Sequence, residues 1–301
     1  MADSWNDQYV TANGIQIHYV RHGAGFPLIL IHGWPGFWYE WHKNIMPLAE
    51  HFDVIAPDQR GYGDTEKPDG PAVEGYNRHV RAEDLRCLAD ALGLAQFGIV
   101  AHDTGSWVAQ TFVIKHPERV PRLFLFNPPY PGVGDRWVRP DFLKNSWYMW
   151  FHQQPWAARL VGSSREAARI YFGHFLSFLS HDSHLFDEEL DIWVDNFLKP
   201  GNLQGGFNWY IAMDGERRAL AAGTQPKQPA INVPTRILWG ENDPMAKTEW
   251  ADRLGEFFSN YTLKWVPDTG HFVQYERPDL FNTEVIQYFA SCGRKPGKGG
   301  R

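Results

Sequence analysis

The sequence predicts an α/β protein in which a mostly parallel sheet is flanked by helices and interrupted by a helical insertion. Three observations lead to this prediction: short apolar runs alternate with helical patterns, one central stretch lacks such runs, and the runs then resume. Short, fully apolar runs are typical of strands that are covered on both faces, as in a parallel sheet. With 43% apolar residues among 301, the chain can bury a sizeable core.

The first part of the chain carries most of the predicted strands. Residues 15–20 alternate between apolar and polar side chains, as a half-buried strand does. Four short, largely apolar runs follow, at residues 26–31, 52–56, 97–101 and 123–126. Helices are expected between these strands, where a helical pattern ends at a glycine or a proline, at residues 77–92 and 107–116. Residues 12–128 are therefore predicted to form repeated βα units.

The middle of the chain differs from both ends. From residue 128 to about residue 229 it is aromatic and helical in pattern, and the strand pattern resumes only at residues 235–239 and 263–266. A closing helix is predicted over residues 278–288. We therefore expect a core made of residues 1–128 and 229–293 and a helical cap made of residues 129–228. The Gly- and Lys-rich residues 294–301 are expected to be disordered.

Composition and charge argue against several classes of function. The net charge is −6 and no basic stripe is present, which argues against nucleic acid as a partner. No apolar run reaches membrane-spanning length, and the N-terminus lacks a signal pattern. The two cysteines, Cys87 and Cys292, fit neither a disulfide framework nor a metal site. We expect a cytoplasmic monomer or homodimer that uses no metal or cofactor and does not insert into membranes.

The most informative stretch is FGIVAHDTGS, residues 97–106, where a predicted strand runs into an apolar helix. In a sharp strand–nucleophile–helix turn, small residues are needed two positions before and two positions after the nucleophile. Ala101 and Gly105 occupy those positions around Asp103. The alternative is that Asp103 is only the N-cap of the helix, since aspartate caps helices well.

Three further motifs stand directly after other predicted strands. His32-Gly33-Trp34-Pro35 follows the strand at 26–31, Asp243 follows the strand at 235–239, and His271 lies on the loop after the last strand. Nucleophile, acid and histidine thus occur in the order Asp103, Asp243, His271. Because the carboxyl ends of parallel strands share one edge of a sheet, we expect these side chains to meet there.

The chain resembles the α/β-hydrolase fold family over about residues 12–290, and most strongly its epoxide hydrolase branch. The motifs that carry the resemblance are HGWP, APDQRGYGDTEKP, AHDTGSW, HPERV, GENDP and GHFVQYERP. It implies a catalytic triad of Asp103, Asp243 and His271. It also implies an HGxP motif at His32, Gly33 and Pro35, and an oxyanion hole formed by the backbone N–H groups of Trp34 and Thr104.

A carboxylate at the nucleophile position favours attack on a saturated carbon that bears a leaving group. Aspartate is ionised at neutral pH without a base, and its attack on such a carbon gives an alkyl-enzyme ester. Attack on an ordinary ester would give a strained anhydride, which argues against a lipase, an esterase or a peptidase. His271, oriented by Asp243, would then activate the water that hydrolyses the ester of Asp103.

The leaving group could be an alkoxide from an epoxide or a halide. Haloalkane and fluoroacetate dehalogenases carry Trp or Arg directly after the nucleophile, whereas this chain carries Thr104. Resemblance to epoxide hydrolases implies two cap tyrosines that bind the epoxide oxygen, and Tyr210 in GGFNWY and Tyr148 in WYMWFHQQP match them. The sequence therefore favours a hydrolase of small apolar epoxides that uses water. A dehalogenase and a non-catalytic hydrolase-fold protein remain alternatives, and the candidates for the substrate pocket are Trp107, Trp147 and Trp209.

Overall fold

The computed structural model describes residues 5–292, which contain a single eight-stranded sheet in the order β1-β2-β4-β3-β5-β6-β7-β8. The strands are β1 Asp7–Ala12, β2 Ile15–Gly23, β3 Pro27–Ile31, β4 Asp53–Pro57, β5 Gly98–His102, β6 Leu123–Phe126, β7 Thr235–Gly240 and β8 Tyr261–Val266. Each strand predicted from the apolar pattern is present. The edge strand β1 was not predicted, because it pairs only with β2 and is partly exposed along its length.

The sheet is parallel from β4 to β8, and its other edge is antiparallel. Strands β1 and β2 form a hairpin, and β2 pairs antiparallel with β4. The central strand β3 pairs in parallel with both neighbours, so that Leu28 lies opposite Val54 on β4 and Gly98 on β5. Strands β4, β5 and β6 are buried at every position, because helices cover both faces. The α/β fold predicted from the sequence is confirmed.

The helices fall into two groups, those that alternate with the strands and those between β6 and β7. In chain order they are α1 His42–Ala49, α2 Ala72–Gly75, α3 Arg78–Ala91, α4 Asp103–Lys115, α5 Pro140–Ser146, α6 Tyr148–Phe151, α7 Ala157–Val161, α8 Arg165–Leu179, α9 Leu190–Leu198, α10 Asn202–Ala212, α11 Asp214–Ala221, α12 Leu254–Phe257, α13 Val273–Glu276 and α14 Pro278–Phe289. Short 3₁₀ helices occur at Trp38–Trp41, Pro117–Arg119, Pro131–Val138 and Thr248–Arg253. None of the helices within residues 5–292 combines the length and the apolarity needed to cross a bilayer.

Polar side chains fix where two of the longer helices begin. Asn77 caps α3 by accepting hydrogen bonds from the N–H groups of His79 and Val80. Ser164 caps α8 in the same way, since its hydroxyl accepts from Ala167 N–H at 3.0 Å. These side chains satisfy N–H groups that have no partner inside the helix.

We call residues 131–221 the cap layer; it contains α5 to α11 and the 3₁₀ helix Pro131–Val138. In the described part of the chain this segment carries no strand, as the aromatic pattern predicted. The division into a core and a cap domain with boundaries at 128 and 229 stays a prediction. The tail predicted to be disordered, residues 294–301, lies outside the described residues.

Glycines form the close contact between α10 of the cap layer and the core. A Cβ added at Gly205 on α10 would lie 2.2 Å from the carbonyl oxygen of Gly61, which belongs to the loop after β4. One added at Gly206 would lie 2.4 Å from the ring of Trp34. Only glycine therefore allows α10 to approach the core this closely. We call this contact the glycine seam.

Candidate active site

The turn after β5 has the tight geometry that the sequence indicated. Asp103 is the first residue of α4 and has a φ of +43°, a left-handed conformation that aspartate adopts more readily than most residues. A Cβ at Gly105 would lie 2.5 Å from the carbonyl oxygen of His32, and Ala101 is fully buried. A Cβ at Gly33 would lie 2.6 Å from the Cβ of Asp103. Small residues at positions 33, 101 and 105 are therefore required for the turn to form.

The carboxylate of Asp103 sits between one backbone donor and one histidine. Trp34 N–H donates to its Oδ2 at 3.0 Å. Nε2 of His271 lies 3.8 Å from its Oδ1. In the described structure, no hydrogen bond joins the Thr104 N–H to this carboxylate. The geometry thus brings together Asp103, His271 and one of the two predicted oxyanion donors.

His271 is held by a buried acid, and that acid is held by an asparagine. Nδ1 of His271 bonds Oδ2 of Asp243 at 2.7 Å, and Met245 N–H donates to Oδ1 of Asp243 at 2.7 Å. The side-chain amide of Asn127 also donates to Oδ2 of Asp243, and its own oxygen accepts from Gly240 N–H at 3.1 Å. Asn127 directly follows β6, so all three side chains lie at the carboxyl edge of the sheet.

The charges of this pair follow from its contacts. Burial opposes ionisation of Asp243, but the charge and hydrogen bond of His271 and the amide of Asn127 bring the pKa of Asp243 below its ordinary value. Burial likewise opposes a charge on His271, but Asp243, and then Asp103, raise the pKa of His271 to about 9. At neutral pH the imidazole is therefore protonated and Asp243 carries its negative charge.

A second histidine supports the loop behind the site. His102 is fully buried, with Nε2 3.0 Å from the carbonyl oxygen of His271 and Nδ1 3.0 Å from Oε1 of Glu40. Burial lowers the pKa of His102 to about 3, so the ring is neutral and carries one proton. A carbonyl can only accept, so that proton is on Nε2 and Nδ1 must accept one. Glu40 then donates as a neutral acid, which agrees with burial raising the pKa of Glu40 to about 8.

The space occupied by Glu40 depends on Gly36, the residue that follows the HGWP motif. A Cβ at Gly36 would lie 1.8 Å from Oε2 of Glu40. No sequence pattern pointed to Glu40, because it lies in an aromatic 3₁₀ helix, Trp38–Trp41, rather than directly after a strand. Glu40 and His102 therefore form a neutral hydrogen-bonded support for the His271 backbone.

The HGxP motif forms the loop after β3. Nε2 of His32 accepts from Gln59 N–H at 3.0 Å, so the proton of the neutral ring is on Nδ1, 2.9 Å from the carbonyl oxygen of Gly33. Burial lowers the pKa of His32, which keeps the ring neutral. The peptide bond between Trp34 and Pro35 is cis. His32 thus braces the loop that presents Trp34 N–H to Asp103.

Two phenols of the cap layer lie in the same cavity as Asp103. Tyr148 begins α6 and Tyr210 lies in α10, and their ring centres are 5.6 Å apart at an interplanar angle of 83°. Both line a cavity that also contains Asp103 and His271. Burial raises the pKa of both phenols above the ordinary value for tyrosine. Both therefore stay protonated and can donate at neutral pH.

The cavity has about 640 Å³ of space including its open mouth, and its wall is mostly apolar. Of the predicted pocket residues, Trp107 and Trp209 line it. The prediction for Trp147 is wrong: its side chain is 38% exposed and does not line the cavity. Trp147 is adjacent to Tyr148 in a helical turn, and successive helical side chains point about 100° apart. When Tyr148 faces the cavity, Trp147 therefore faces away.

Several lining residues were not anticipated from the sequence. They are Asn127, Pro129, Trp137, Met149, Met213, Glu216, Arg217, Leu220, Met245 and Ala246. Asn127 could have been found, because it directly follows a predicted strand, as Asp103 does. The cap-layer residues carry no such signal, because a helical pattern does not reveal which face points into a cavity.

Comparison with known proteins identifies the family. A family model described as the alpha/beta hydrolase fold matches residues 27–278. The chain is 34% identical to the soluble epoxide hydrolase of Corynebacterium sp. (strain C12) over 288 residues, which span 92% of this chain and 95% of that protein. The chain belongs to the α/β-hydrolase fold family. Human epoxide hydrolase 4 is 29% identical over 94% of this chain and 78% of its own length.

Solved structures agree with this assignment. Epoxide hydrolase CorEH, solved without ligand, superposes with a TM-score of 0.81 at 29% identity, covering 94% of this chain and 98% of that chain. An epoxide hydrolase of Bacillus megaterium in complex with an inhibitor gives a TM-score of 0.78 at 26% identity, covering 94% and 100%. The resemblance to the epoxide hydrolase branch drawn from the motifs is confirmed.

Proposed function

We propose that this protein is an epoxide hydrolase, which converts apolar epoxides to vicinal diols with water and without a cofactor. One observation carries the proposal: the carboxylate of Asp103 at the turn after β5 shares a cavity with two protonated phenols, Tyr148 and Tyr210. A carboxylate can attack an epoxide carbon, and a phenol can donate to the oxygen that leaves it. The relatives named as epoxide hydrolases support the same reading.

In the first step, an oxygen of Asp103 attacks one ring carbon. The new ester C–O bond forms as the epoxide C–O bond breaks, and the alkoxide takes a proton that Tyr148 or Tyr210 donates. Because burial raises the pKa of both phenols, each holds its proton until negative charge develops on the substrate oxygen. The result is a hydroxyalkyl ester of Asp103.

Ester formation prepares the second step. The charge of Asp103 is one cause of the raised pKa of His271, and the ester has no charge, so the pKa of His271 falls. The proton that His271 loses restores the phenol that donated in the first step. The neutral imidazole, still oriented by Asp243, then removes a proton from water that attacks the ester carbonyl, and His271 is protonated again as at the start. The Trp34 N–H that donates to Asp103 Oδ2 at 3.0 Å would stabilise the oxyanion, together with the Thr104 N–H. Collapse releases the diol and restores the carboxylate of Asp103 with one oxygen from water.

Dehalogenation is the second candidate, because Trp107 also lines the cavity and an indole N–H can stabilise a departing halide. A halide needs no proton, so the two phenols would have no function in that reaction. Parallel assays of diol formation from styrene oxide and halide release from chloroacetate separate the two activities. Faster halide release would favour the dehalogenase.

Replacing His271 by Gln tests the covalent step. Alkylation of Asp103 does not need a base, whereas ester hydrolysis does. We expect His271→Gln to take up one equivalent of epoxide and then stop, with intact-protein mass spectrometry showing one adduct of substrate mass. Digestion should place the adduct on the peptide that contains Asp103. His184→Gln, at an exposed cap-layer histidine, is the control and should turn over without an adduct.

A single turnover of the native protein in ¹⁸O-water tests independently whether Asp103 is the nucleophile. Water attacks the ester carbonyl, so the label should enter Asp103 first and leave the first diol unlabelled. A labelled diol in the first turnover, with no adduct in His271→Gln, would reject Asp103 as nucleophile. Asp103 would then be only an acid in the first turn of α4, since the N-cap position is taken by His102.

We further propose a cytoplasmic location and a monomer or homodimer. Both cysteines, Cys87 and Cys292, are free thiols, which suits a reducing compartment. Size-exclusion chromatography with light scattering would distinguish the two oligomeric states.

A further inference from the structure

One cation lines the cavity on the cap side, and the mechanism proposed above does not use it. Arg217 lies on α11, is half-buried, and lines the same cavity as Asp103, Tyr148 and Tyr210. Its guanidinium carbon lies 5.7 Å from the ring centre of Tyr210, which is a cation–π distance. The positive charge is therefore placed beside the phenols, at the end of the cavity where the epoxide would open.

The acids of α11 are paired with other cations. Asp214 forms an ion pair with Arg218 across one turn of the helix. Glu216, which also lines the cavity, has its Oε2 2.7 Å from Nε of Arg78. Among the residues that the structure describes, none forms an ion pair with Arg217. Burial lowers the pKa of Arg217, yet an arginine still carries its charge at neutral pH, so this charge is free to act on an anion in the cavity.

In the proposed mechanism, ring opening moves a negative charge from one wall of the cavity to the other. Before the reaction this charge is on the carboxylate of Asp103, and the ester that forms has none. The epoxide oxygen becomes a neutral hydroxyl because it takes the proton of Tyr148 or Tyr210. The electron pair of the broken phenol O–H bond stays on the phenol oxygen, so the negative charge is now on a phenolate of the cap wall.

A phenolate in a mostly apolar cavity is costly unless a positive charge lies close to it. Burial raises the pKa of both phenols most strongly, and the charge of Asp103 raises it further. The charge of Arg217 acts on both phenols in the opposite direction. Ester formation removes the charge of Asp103 and leaves that of Arg217, so the phenolate forms next to an attracting charge without the repelling one.

We propose that Arg217 is the counterion of the phenolate that forms when the epoxide opens. The role needs a charge that cannot be lost by proton transfer to the phenolate, and a guanidinium, which does not deprotonate in proteins, meets that need. A carboxylate paired with Arg217 would cancel this charge, so the pairing of Asp214 and Glu216 with other cations suits the role. This inference rests on the proposed epoxide hydrolysis and adds to it a residue that acts through the phenols.

The counterion is needed in only one of the two steps. Once His271 has returned a proton to the phenolate, both phenols are neutral while water attacks the ester of Asp103. Arg217 should therefore govern the rate of alkylation and have little influence on the rate of ester hydrolysis. Binding of a neutral epoxide should not depend on it either.

Rapid-quench mass spectrometry of a single turnover of styrene oxide measures the two steps separately, because the adduct on Asp103 appears at alkylation and disappears at hydrolysis. We expect Arg217→Met to slow alkylation about tenfold to a hundredfold and to change ester hydrolysis and the dissociation constant of the epoxide by less than about twofold. Arg217→Lys keeps the charge and should recover most of the alkylation rate. Arg218→Met, at the exposed next residue of α11, is the matched control and should react like the native protein.

Three results would overturn the proposal. Alkylation at the native rate in Arg217→Met would mean that the charge is not used. Equal slowing of alkylation and hydrolysis would mean that the substitution displaces α11, and equal rates in Arg217→Met and Arg217→Lys would mean that the side chain acts by packing. If Arg217→Met did not fold, Arg217→Gln would test the same loss of charge. A native protein that forms neither adduct nor diol would reject the proposed epoxide hydrolysis itself, and the counterion role with it.

Discussion

The two walls of the cavity are held in different ways. On the core side, Asp103, Asp243 and His271 follow parallel strands and are joined by hydrogen bonds to backbone and side chains. On the cap side, Tyr148 and Tyr210 lie on helices and are positioned by aromatic packing, each within 5.5 Å of the ring of His152. The core wall carries the aspartates and the histidine, and the cap wall carries the two neutral phenols as well as the charged side chains of Glu216 and Arg217.

In the proposed mechanism, this difference would let the core wall keep the nucleophile in place while the cap wall determines which substrate fits. Hydrogen bonds fix atoms to within a few tenths of an ångström, and they hold the attack geometry on the core side. Packing of rings tolerates changes in volume, so cap-layer side chains can alter the cavity without disturbing Asp103. Loss of a core residue should therefore abolish the reaction, and loss of a cap residue should slow it.

The largest effect is expected from Asp103→Asn. The amide cannot act as the nucleophile, so turnover should fall roughly 10⁴-fold or more. Asparagine tolerates the left-handed conformation of this position, so the melting temperature should stay close to that of the native protein. Mass spectrometry should verify that the substituted amide is intact during the assay. More than about 1% residual turnover by an intact amide would contradict a covalent role for Asp103.

Removal of the cap phenols should have an intermediate effect. Tyr210→Phe and Tyr148→Phe should each raise the barrier to epoxide opening by about 2–4 kcal/mol, because each removes one donor to the developing alkoxide. The double substitution should leave almost no epoxide turnover, while alkylation by a haloalkane, which needs no proton, should persist. Tyr9→Phe, at an exposed tyrosine of β1, is the control. A double variant with native epoxide turnover would refute the assignment of the cap wall.

The smallest effect concerns pH and stability on the core wall. The folded-state pKa of His271 is raised from 6.5 to about 9, so its ion pair stabilises the fold fully below pH 6.5 and less as the pH rises through 9. The melting temperature of the native protein should fall between pH 6.5 and 9 by at least about 3 °C more than that of His271→Gln. Glu40 titrates in a similar range but is present in both proteins, so the difference between their melting-temperature curves measures the contribution of His271. Parallel curves would mean that the ion pair adds no stability.

The positions of the core-wall residues could be predicted from the sequence, because a residue in the loop after a parallel strand lies at the carboxyl edge of the sheet; their catalytic roles stay predictions. Asp103, Asp243 and His271 were found in this way, and Asn127 was missed although it stands in the same relation to β6. The cap wall was harder, since the rotation of a short helix decides which side chains face inward. This rotation made the prediction for Trp147 wrong and left Arg217 unnoticed.

The glycine seam has a mechanical consequence for the molecule. At Gly61 and Gly205 two backbones are in contact with no side chain between them, so this edge of the cap layer cannot move closer to the core. Tyr210 lies one helical turn beyond Gly206 on the same face of α10, and is therefore tied to the fixed edge. At Trp137 and Leu220 the cavity wall is formed by side chains rather than by backbone, and side chains can change rotamer to fit a ligand. We therefore expect the cap layer to adjust to a larger ligand at Trp137 and Leu220 while Tyr210 keeps its distance from Asp103.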